Sequence, residues 1–378
     1  MSHLELIATA TFAMESVVAR ELKDLGYDRL TVENNQVRFT ADETAIARSN
    51  LWLRVADRVR LVMGRFTATT FEDLFEQTLA LPWSEWLPRN AAFPVQAKSV
   101  KSQLFSKSDC QAIVKKAIVE NLKRRYRQQW FAEDGPLFPV EVSILKDVAT
   151  LTIDTSGTAL HKRGYRQLVS EAPLRETLAA GLIQLSYWNA DRPFVDPFCG
   201  SGTLPIEAAM LGLNIAPGLQ RSFAAEAWPR LPRAIWQRER EAARAARRLD
   251  RELSIIGTDI DGKILRAARQ NAAAAGVADY LHIQQMPVRD LRSQRKFGVL
   301  ICNPPYGERL SDRTAVREIY QALGEVCRRL DTWSIYVLTA YDEFEQAFGR
   351  RADRRRKLYN GDLLCQYYQF YGPRPPRH

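Results

Sequence analysis

The second half of the chain alternates short apolar runs with segments of helical periodicity, and this alternation constrains its fold most. Apolar runs occupy 194–198, 254–258, 299–302 and 334–339. Strands that alternate with helices along a chain pair in parallel, with helices packed on both faces of the sheet. We therefore predict a doubly wound α/β domain. Its predicted helices span 203–211, 233–251, 263–275 and 315–330.

The end of the chain departs from this alternation. Two strand-like segments, 357–359 and 363–371, flank Asn360-Gly361. Asn-Gly is the dipeptide preferred in the type I′ turn of a two-residue β-hairpin. An antiparallel hairpin is therefore expected to close an otherwise parallel sheet, an ending that a plain dinucleotide-binding domain does not need.

Residues 1–155 have a different pattern, in which short strands and helices are interleaved. A basic helix over 109–128 is followed by two segments, 139–146 and 148–154, that fit a hairpin. This pattern predicts an α+β region in front of the α/β domain. The length of 378 residues accommodates two or three domains.

The charge of the chain indicates a class of partner. The formal net charge is +10, which makes a polyanion the first partner to consider. Residues 1–160 hold equal numbers of basic and acidic residues, so the excess lies in 161–378. Within the balanced half, the stretch 98–127 is nonetheless strongly basic.

Composition excludes several other classes. No apolar run approaches the roughly 18 residues that a membrane-spanning helix requires, so no membrane partner is expected. Five cysteines without a C-x-x-C pair argue against a disulfide framework and a zinc site, and no metal is predicted. The N-terminus lacks the apolar core of a signal peptide, which makes a reducing, cytoplasmic location the default.

Asp196 opens the first candidate motif, Asp-Pro-Phe-Cys-Gly-Ser-Gly-Thr over 196–203, where a strand becomes a helix. Ligands of open α/β sheets bind at this carboxyl edge, and glycine lets the backbone approach a ligand closely. A triphosphate-binding loop would contain a lysine at the helix start, whereas this loop begins with a carboxylate. The loop therefore favours a cationic or neutral ligand, although an ordinary turn would explain its glycines as well.

An acidic residue also ends the next strand. Asp259 is placed to accept hydrogen bonds from the two hydroxyls of a ribose. Asp261 is equally suited to cap the following helix, and both assignments can hold. Asp290 follows the third strand, where it could bind an adenine amine or lie in a solvated loop.

The third motif, Asn-Pro-Pro-Tyr-Gly over 303–307, follows the strand 299–302 directly. Two prolines cannot continue a strand, so the chain must turn at the sheet edge. The Asn303 side-chain oxygen and the Pro304 carbonyl then offer two acceptors to an exocyclic amine, and Tyr306 offers a ring for base stacking. A proline-rich turn without a catalytic role is the alternative.

Together these motifs resemble those of class I S-adenosylmethionine-dependent methyltransferases that act on exocyclic amines. The run Leu-His-Lys-Arg-Gly-Tyr-Arg over 160–166, followed by 172–180, is similar to THUMP-domain RNA methyltransferases, in particular the bacterial 23S rRNA guanine-N2 group. The resemblance implies a ferredoxin-like segment at 1–43, a THUMP domain at 44–155 and a class I (Rossmann-like) methyltransferase domain at 160–378. Some members carry a second, fused methyltransferase, which is not expected here.

The resemblance also implies the cofactor, the partner and residue roles. The cofactor is expected to be S-adenosyl-L-methionine. The target is expected to be the exocyclic N2 of a guanine in 23S rRNA, free or in a large-subunit assembly intermediate. The residues expected at the cofactor are Asp196, Phe198, Gly200, Ser201, Gly202, Thr203, Asp259, Ile260, Asp290 and Asn303. The residues expected to be catalytic, by holding the guanine, are Asn303, Pro304, Pro305 and Tyr306. The segment 161–180 is expected near the methionine end of the cofactor, without a choice of contact residues.

RNA binding is predicted for the basic stretch, with Tyr126 and Trp130 interleaved for stacking. A solvated helix face is the alternative. The predicted RNA-binding residues are Lys98, Lys101, Lys107, Lys115, Lys116, Lys123, Arg124, Arg125 and Arg127.

Three other functions stay open at this point. A tRNA guanine-N2 methyltransferase is the nearest alternative. A DNA adenine-N6 methyltransferase shares the Asn-Pro-Pro-Tyr chemistry but would need base-reading elements that the sequence does not reveal. A non-catalytic RNA-binding module is the third, and the intact motif at 303–306 argues against it.

Overall fold

The computed structural model describes residues 3–166, 174–306 and 313–376. By internal contacts the chain forms two compact units. The first contains the chain up to Ala10, Val18–Leu160 and Arg221–Ala242. The second contains Thr11–Val17, His161–Gln220 and the chain from Ala243 onward. The first unit therefore includes a segment from the second half of the sequence, Arg221–Ala242. The second unit includes a segment from the N-terminal region, Thr11–Val17.

The first unit is built on a seven-stranded sheet. Its strands are β1 (Leu4–Thr9), β2 (Leu30–Glu33), β3 (Gln36–Ala41), β4 (Arg58–Thr67), β5 (Val95–Val100), β6 (Val140–Leu145) and β7 (Val148–Asp154). They lie in the order β2-β3-β1-β4-β7-β6-β5. All neighbours are antiparallel except β5 and β6. The predicted hairpin is therefore β6–β7.

Alternation along β4 gives this sheet one apolar and one polar face. Val59 and Leu61 are buried, whereas Arg58 and Arg60 point to the opposite face. Arg60 forms an ion pair there with Glu141 of β6. The apolar face is where the unit builds its core, because successive side chains of a strand lie on opposite sides of the sheet.

The second unit is built on another seven-stranded sheet. Its strands are β8 (Phe194–Asp196), β9 (Ile255–Asp259), β10 (Leu281–Gln285), β11 (Val299–Cys302), β12 (Ser334–Thr339), β13 (Arg354–Asn360) and β14 (Leu363–Phe370). They lie in the order β10-β9-β8-β11-β12-β14-β13. The first five are parallel, and β14 and β13 join them antiparallel. The predicted α/β sheet with a terminal hairpin is confirmed.

The helices of the described chain fit most of the sequence predictions. They are α1 (Glu15–Asp24), α2 (Thr44–Trp52), α3 (Phe71–Leu79), α4 (Lys107–Tyr126), α5 (Glu176–Gln184), α6 (Thr203–Gly212), α7 (Arg233–Ala245), α8 (Gly262–Ala274), α9 (Arg313–Arg329) and α10 (Phe344–Phe348). Within the described ranges, no helix is long and apolar enough to cross a membrane.

One helix prediction is wrong at its end. The helix expected over 233–251 stops at Ala245. Beyond it the Arg248 N–H donates to the Leu213 carbonyl at 2.8 Å, a partner outside the helix. A long-range hydrogen bond therefore ends a helix whose local sequence, rich in Ala, Arg and Glu, would allow it to continue.

The segment Arg221–Ala242 packs into the first unit through aromatic and ionic contacts. Trp228 stacks on Phe138 with ring centroids 4.6 Å apart. Arg230 is 3.0 Å from a carboxylate oxygen of Glu43. These long-range contacts place a segment from the second half of the sequence in the N-terminal unit.

Candidate active site

Three parallel strands bring the three motifs to one edge of the second sheet. β8 pairs in parallel with β9 on one side and with β11 on the other. Residues that follow the carboxyl ends of these strands therefore emerge side by side. Asp196 ends β8, Asp259 ends β9, and Asn303 follows β11.

The glycine-containing loop after β8 is tied to the end of β9. The Cys199 N–H donates to the Thr258 carbonyl at 2.9 Å. The Gly200 N–H donates to the Asp259 carboxylate at 3.0 Å. Gly202, with φ +89°, caps α6 in the left-handed region, where a side chain would be strained. The backbone conformation at position 202 therefore favours glycine, and the Gly200 N–H connects the first motif to Asp259 of the second.

Asp259 and Asp261 divide two roles between them. One Asp259 oxygen accepts from Gly200 and the other accepts from the Asp261 N–H at 3.0 Å. The Asp261 carboxylate accepts from the Lys263 N–H at 2.8 Å, which caps α8. The cap predicted for Asp261 is thus confirmed. Each Asp259 oxygen keeps a lone pair for a further donor, because a carboxylate oxygen accepts about two hydrogen bonds.

Asp196 is the most buried carboxylate at this edge. Its exposed fraction is 1%, and its carboxylate accepts from the Phe198 N–H at 3.0 Å. Burial raises the pKa of Asp196 well above its ordinary value, and the nearby charge of Asp259 raises it further. A cation placed beside these two neighbouring acids would favour the ionised form of both.

A network of buried ion pairs supports the glycine-containing loop. Arg166 donates to the Thr203 hydroxyl at 2.9 Å, and its Nε lies 3.0 Å from Glu176 of α5. Arg163 pairs with the fully buried Glu207 of α6 at 3.3 Å. Sequence reasoning placed 161–180 near the cofactor but named no contacts there. The sequence Arg-Gly-Tyr-Arg over 163–166 could have indicated these contacts. Residues 167–173, which belong to the same predicted segment, lie outside the described residues.

The Asn-Pro-Pro-Tyr segment is partly enclosed. Pro304 is buried, Asn303 and Tyr306 are half-buried, and Pro305 is exposed. The Tyr306 hydroxyl donates to the Asn303 side-chain oxygen. Burial raises the pKa of Tyr306 above its ordinary value, so its hydroxyl stays protonated. The side-chain acceptor assigned to Asn303 is therefore already oriented by one donor and keeps one lone pair. Gly307, the last residue of the motif, lies outside the described residues.

Two further residues predicted at the cofactor are solvent-exposed. Ile260 directly follows Asp259, and its side chain is 66% exposed. Asp290 lies in a short 3₁₀ turn beyond β10 and is exposed. An exposed isoleucine beside a carboxylate offers an apolar contact next to a polar one, as the ring and hydroxyls of a nucleoside require.

The predicted RNA-binding stretch divides into ion-paired and open cations. Lys98 lies 2.9 Å from Glu141, and Lys123 lies 2.9 Å from Glu120. Lys115 lies 2.6 Å from Glu133 and also over the Phe93 ring. Among the described residues, the other cations of the stretch form no ion pair within 4.0 Å. They are Lys101, Lys107, Lys116, Arg124, Arg125 and Arg127.

Lys101 and Lys107 lie near the start of α4 and Arg124, Arg125 and Arg127 at its end, whereas Lys116 lies in its middle, over the Phe75 ring. At 1.5 Å per residue, a helix of 20 residues is about 30 Å long. Phe105, 81% exposed, precedes the helix, and Trp130, 72% exposed, follows it. Tyr126, predicted to stack on bases, instead donates its hydroxyl to the Leu87 carbonyl at 2.7 Å and is half-buried.

Family models match most of the chain. A model described as "RMKL-like, methyltransferase domain" matches residues 163–369. A model of the RlmL ferredoxin-like domain matches 5–60, and a model of the THUMP domain matches 68–154.

Two curated relatives are similar over nearly the whole chain. YpsC of Bacillus subtilis, provisionally named an RNA methyltransferase, is 48% identical over 380 residues, which are 100% of this chain and 98% of YpsC. The ribosomal RNA large subunit methyltransferase K/L of Aeromonas hydrophila is 34% identical over 384 residues. That match covers 96% of this chain and 53% of the Aeromonas protein.

Two solved structures are similar throughout. One is a Listeria monocytogenes protein described as a predicted N6-adenine-specific DNA methylase. It is 52% identical, has a TM-score of 0.95, and the match covers 99% of this chain and 97% of the Listeria chain. SMU.472, provisionally named a methyltransferase and solved in complex with SAH, is 48% identical with a TM-score of 0.94 and covers all of both chains.

Replacing the buried acid with its amide should stabilise the protein at neutral pH. Below the ordinary Asp pKa of about 3.9, Asp196 is protonated in the folded and unfolded chain alike. Above it, the unfolded chain ionises while the folded chain resists, so the wild type loses stability until pH reaches the raised pKa. The melting temperature of Asp196→Asn relative to wild type should therefore increase from pH 4 to pH 8.

Thermal unfolding followed by circular dichroism measures this difference. Asp279→Asn, at an exposed position of the same unit, is the matched control and should change the melting temperature little at either pH. A pH-independent difference for Asp196→Asn would contradict the raised pKa.

Proposed function

Because the chain belongs to the RMKL-like methyltransferases, we propose that it methylates the exocyclic N2 of a guanine in 23S rRNA. S-adenosylmethionine-dependent RNA methylation is the activity of this family type. The observation that carries the choice of an exocyclic amine is Asn303 and Pro304, two neighbouring acceptors where β11 meets the site edge. The name of the Aeromonas relative, a large subunit methyltransferase, supports ribosomal RNA as the substrate and hence a cytoplasmic location.

A DNA adenine-N6 methyltransferase is the second candidate. The name of the Listeria structure supports it, and an adenine N6 amine could use the same two acceptors. The THUMP domain favours RNA over DNA, whereas the open cations around α4 could contact the phosphates of either. A tRNA guanine would satisfy the same geometry and is therefore an outcome of the test below.

The residues at the sheet edge fit a cationic nucleoside cofactor. Bound S-adenosyl-L-methionine supplies a methyl group on a sulfonium, which carries its own leaving group. Asp196 would hold the ammonium group, Asp259 would accept from the ribose hydroxyls, and Asp290 would accept from the adenine amine. Ile260 would cover the base. The loop residues Phe198, Gly200, Ser201, Gly202 and Thr203 would line the methionine and ribose parts.

The Asn-Pro-Pro-Tyr segment, residues 303–306, is the proposed catalytic segment, and it would promote methyl transfer by orienting the target amine. Guanine N2 is a poor nucleophile because its lone pair is delocalised into the ring. Hydrogen bonds from N2 to the Asn303 oxygen and the Pro304 carbonyl would favour a more pyramidal nitrogen. Methyl transfer then depends mainly on positioning, and the stiff Pro304-Pro305 pair limits movement of these acceptors. Water takes the released proton, since the Asn303 amide is not a base.

RNA docking would use the two ends of α4. The base of an unpaired nucleotide can stack on Phe105 at one end or on Trp130 at the other, while Lys101, Lys107 and Arg124–Arg127 contact phosphates. The ion-paired Lys98, Lys115 and Lys123 would contribute less, because their charge is already compensated. RNA would thus span about 30 Å of this surface.

Modified-nucleoside mapping tests the substrate directly. We expect a strain that lacks this protein to lose N2-methylguanosine at one site of 23S rRNA, and the purified protein to restore it. Nucleosides from rRNA, tRNA and DNA are compared by mass spectrometry. Loss from tRNA alone, or loss of N6-methyladenine from DNA, would replace the proposal with the corresponding alternative.

Asn303→Ala should separate catalysis from cofactor binding. Removal of one positioned hydrogen-bonding group at a reacting centre lowers turnover by roughly 100-fold or more. Calorimetric binding of S-adenosylhomocysteine should change little, because Asp196 and Asp259 remain. Asn189→Ala, at an exposed position of the same unit, is the control and should keep wild-type turnover. Undiminished methyl transfer by Asn303→Ala would remove this residue from the mechanism.

Substitutions at α4 should change the salt dependence of RNA binding. Each cation that no longer neutralises a phosphate makes the slope of log K against log salt shallower by about 0.7–0.9. A variant with Arg124, Arg125 and Arg127 changed to Gln should therefore have a shallower slope in filter binding. Lys23→Gln with Arg29→Gln, both exposed in the first unit outside α4, is the control. Equal slopes for the two variants would count against docking on α4.

A further inference from the structure

Tyr320, on α9, contacts the catalytic segment from within the core. Its side chain is completely buried, and its hydroxyl lies 3.0 Å from the Pro305 carbonyl oxygen. The same hydroxyl lies 2.7 Å from the Thr339 hydroxyl, at the end of β12. Thr339 also accepts from the Tyr341 N–H at 3.0 Å.

Proton counting fixes the direction of this chain of hydrogen bonds. A carbonyl oxygen can only accept, so Tyr320 donates its single proton to Pro305. Thr339 must then donate its own proton to Tyr320, while its oxygen accepts from Tyr341. Among the described residues, this arrangement uses the proton of each hydroxyl and of the Tyr341 N–H.

Aromatic packing holds the Tyr320 ring from two sides. The ring stacks on Tyr341 with centroids 5.3 Å apart and planes at 25°. It meets Phe344 edge-on at 5.1 Å and 86°. Burial raises the pKa of Tyr320 above its ordinary value, so the hydroxyl remains a donor at any working pH. Because the ring is held in place, the Tyr320 hydroxyl stays at a fixed position beside the Pro305 carbonyl.

The bond to Pro305 acts on the torsion that the prolines leave free. Proline rings fix φ of Pro304 and Pro305. A following proline also restricts ψ of Asn303 and of Pro304 to extended values. The first unrestricted torsion is ψ of Pro305, which turns the Pro305 carbonyl and sets the direction in which the chain continues to Tyr306.

We propose that Tyr320 is a positioning residue for methyl transfer, which fixes the Pro305 carbonyl and thereby directs the Tyr306 hydroxyl onto Asn303. The inference deepens the proposed function, since it rests on Asn303 as the acceptor for the target amine. Tyr320 touches neither substrate nor cofactor in this role. Its contribution is the orientation of the Asn303 oxygen through two intervening residues.

Tyr320→Phe removes the hydroxyl and keeps the ring. We expect kcat for RNA methylation to fall about 10- to 100-fold, the size of effect that a small misplacement of a reacting group produces. The affinity for S-adenosylhomocysteine should stay within about twofold, because every side chain proposed to bind the cofactor is retained. A crystal structure of the variant without RNA should show the Tyr306 hydroxyl displaced from the Asn303 side-chain oxygen, which it contacts in the wild type.

Tyr367→Phe is the matched control. Tyr367 is also completely buried, and its hydroxyl donates at 2.9 Å to the carbonyl of Leu182 on α5. Both variants lose one buried hydroxyl that donates to a backbone carbonyl. Tyr320→Phe also leaves the Thr339 hydroxyl without its acceptor, so its loss of thermal stability should be at least as large as that of Tyr367→Phe. Only Tyr320→Phe should lower kcat and displace the Tyr306 hydroxyl from Asn303. Equal kcat for the two variants, or a loss of cofactor affinity that matches the loss of kcat, would overturn the proposal.

A second pair of variants covers the case in which Tyr320→Phe does not fold. Thr339→Val removes the donor behind Tyr320, whereas Thr339→Ser keeps it. We expect Thr339→Ser to retain kcat and Thr339→Val to lose it, and equal rates would overturn the proposal. A wild-type protein that makes no N2-methylguanosine would instead refute the proposed function. Crystal structures of the Tyr320 and Thr339 variants need no substrate and would still decide the role of Tyr320.

Discussion

The parallel pairing of β8 with both of its neighbours is the constraint on which the site depends. It places the ends of β8, β9 and β11 at one edge, although Asp196, Asp259 and Asn303 are far apart in the sequence. The Gly200 N–H then joins the first two ends through the Asp259 carboxylate. One backbone donor thus couples the conformation of the loop to the residue proposed to bind ribose. A shift of one loop would move the other, so the two contribute to binding as a unit.

Local sequence patterns predicted most of the fold, and their failures have physical causes. β12 coincides with its predicted range, and the Asn360-Gly361 turn predicted the antiparallel ending, because both signals are local. α5 was missed because all residues from Glu176 to Ile183 are buried, and a helix buried on every side has no amphipathic period. β2 was missed because it is short and none of its residues is fully buried.

Sheet topology made part of the site predictable from the sequence, namely the residues that follow the parallel strands. Residues that follow parallel strands must share an edge, which is why Asp259 and Asn303 could be assigned together. Arg166 and Tyr320 could not be assigned in this way, because their partners Thr203 and Pro305 are reached only through tertiary packing. Tyr320 has the sequence pattern of an ordinary core aromatic on an amphipathic helix. Its distinctive property is the carbonyl that its hydroxyl meets.

The net charge describes the partner of this chain less well than the placement of the charges does. Lys115 contributes to the count of cations in the basic stretch, yet Glu133 and the Phe93 ring already compensate it. At the sheet edge the sign reverses, since Asp196 and Asp259 make a locally acidic site within a basic chain. A uniformly basic surface would bind RNA but would repel a sulfonium cofactor. Separation of the two signs allows one protein to bind both.

The acidic edge has an energetic consequence for the protein without cofactor. An ionised carboxylate as buried as Asp196 lacks the solvation that it has in the unfolded chain, and this destabilises the fold at neutral pH. A cation placed beside it restores the favourable environment of the charge. In the role proposed for Asp196, the affinity for a cationic cofactor and the stability of the fold without it would depend in opposite directions on the same side chain.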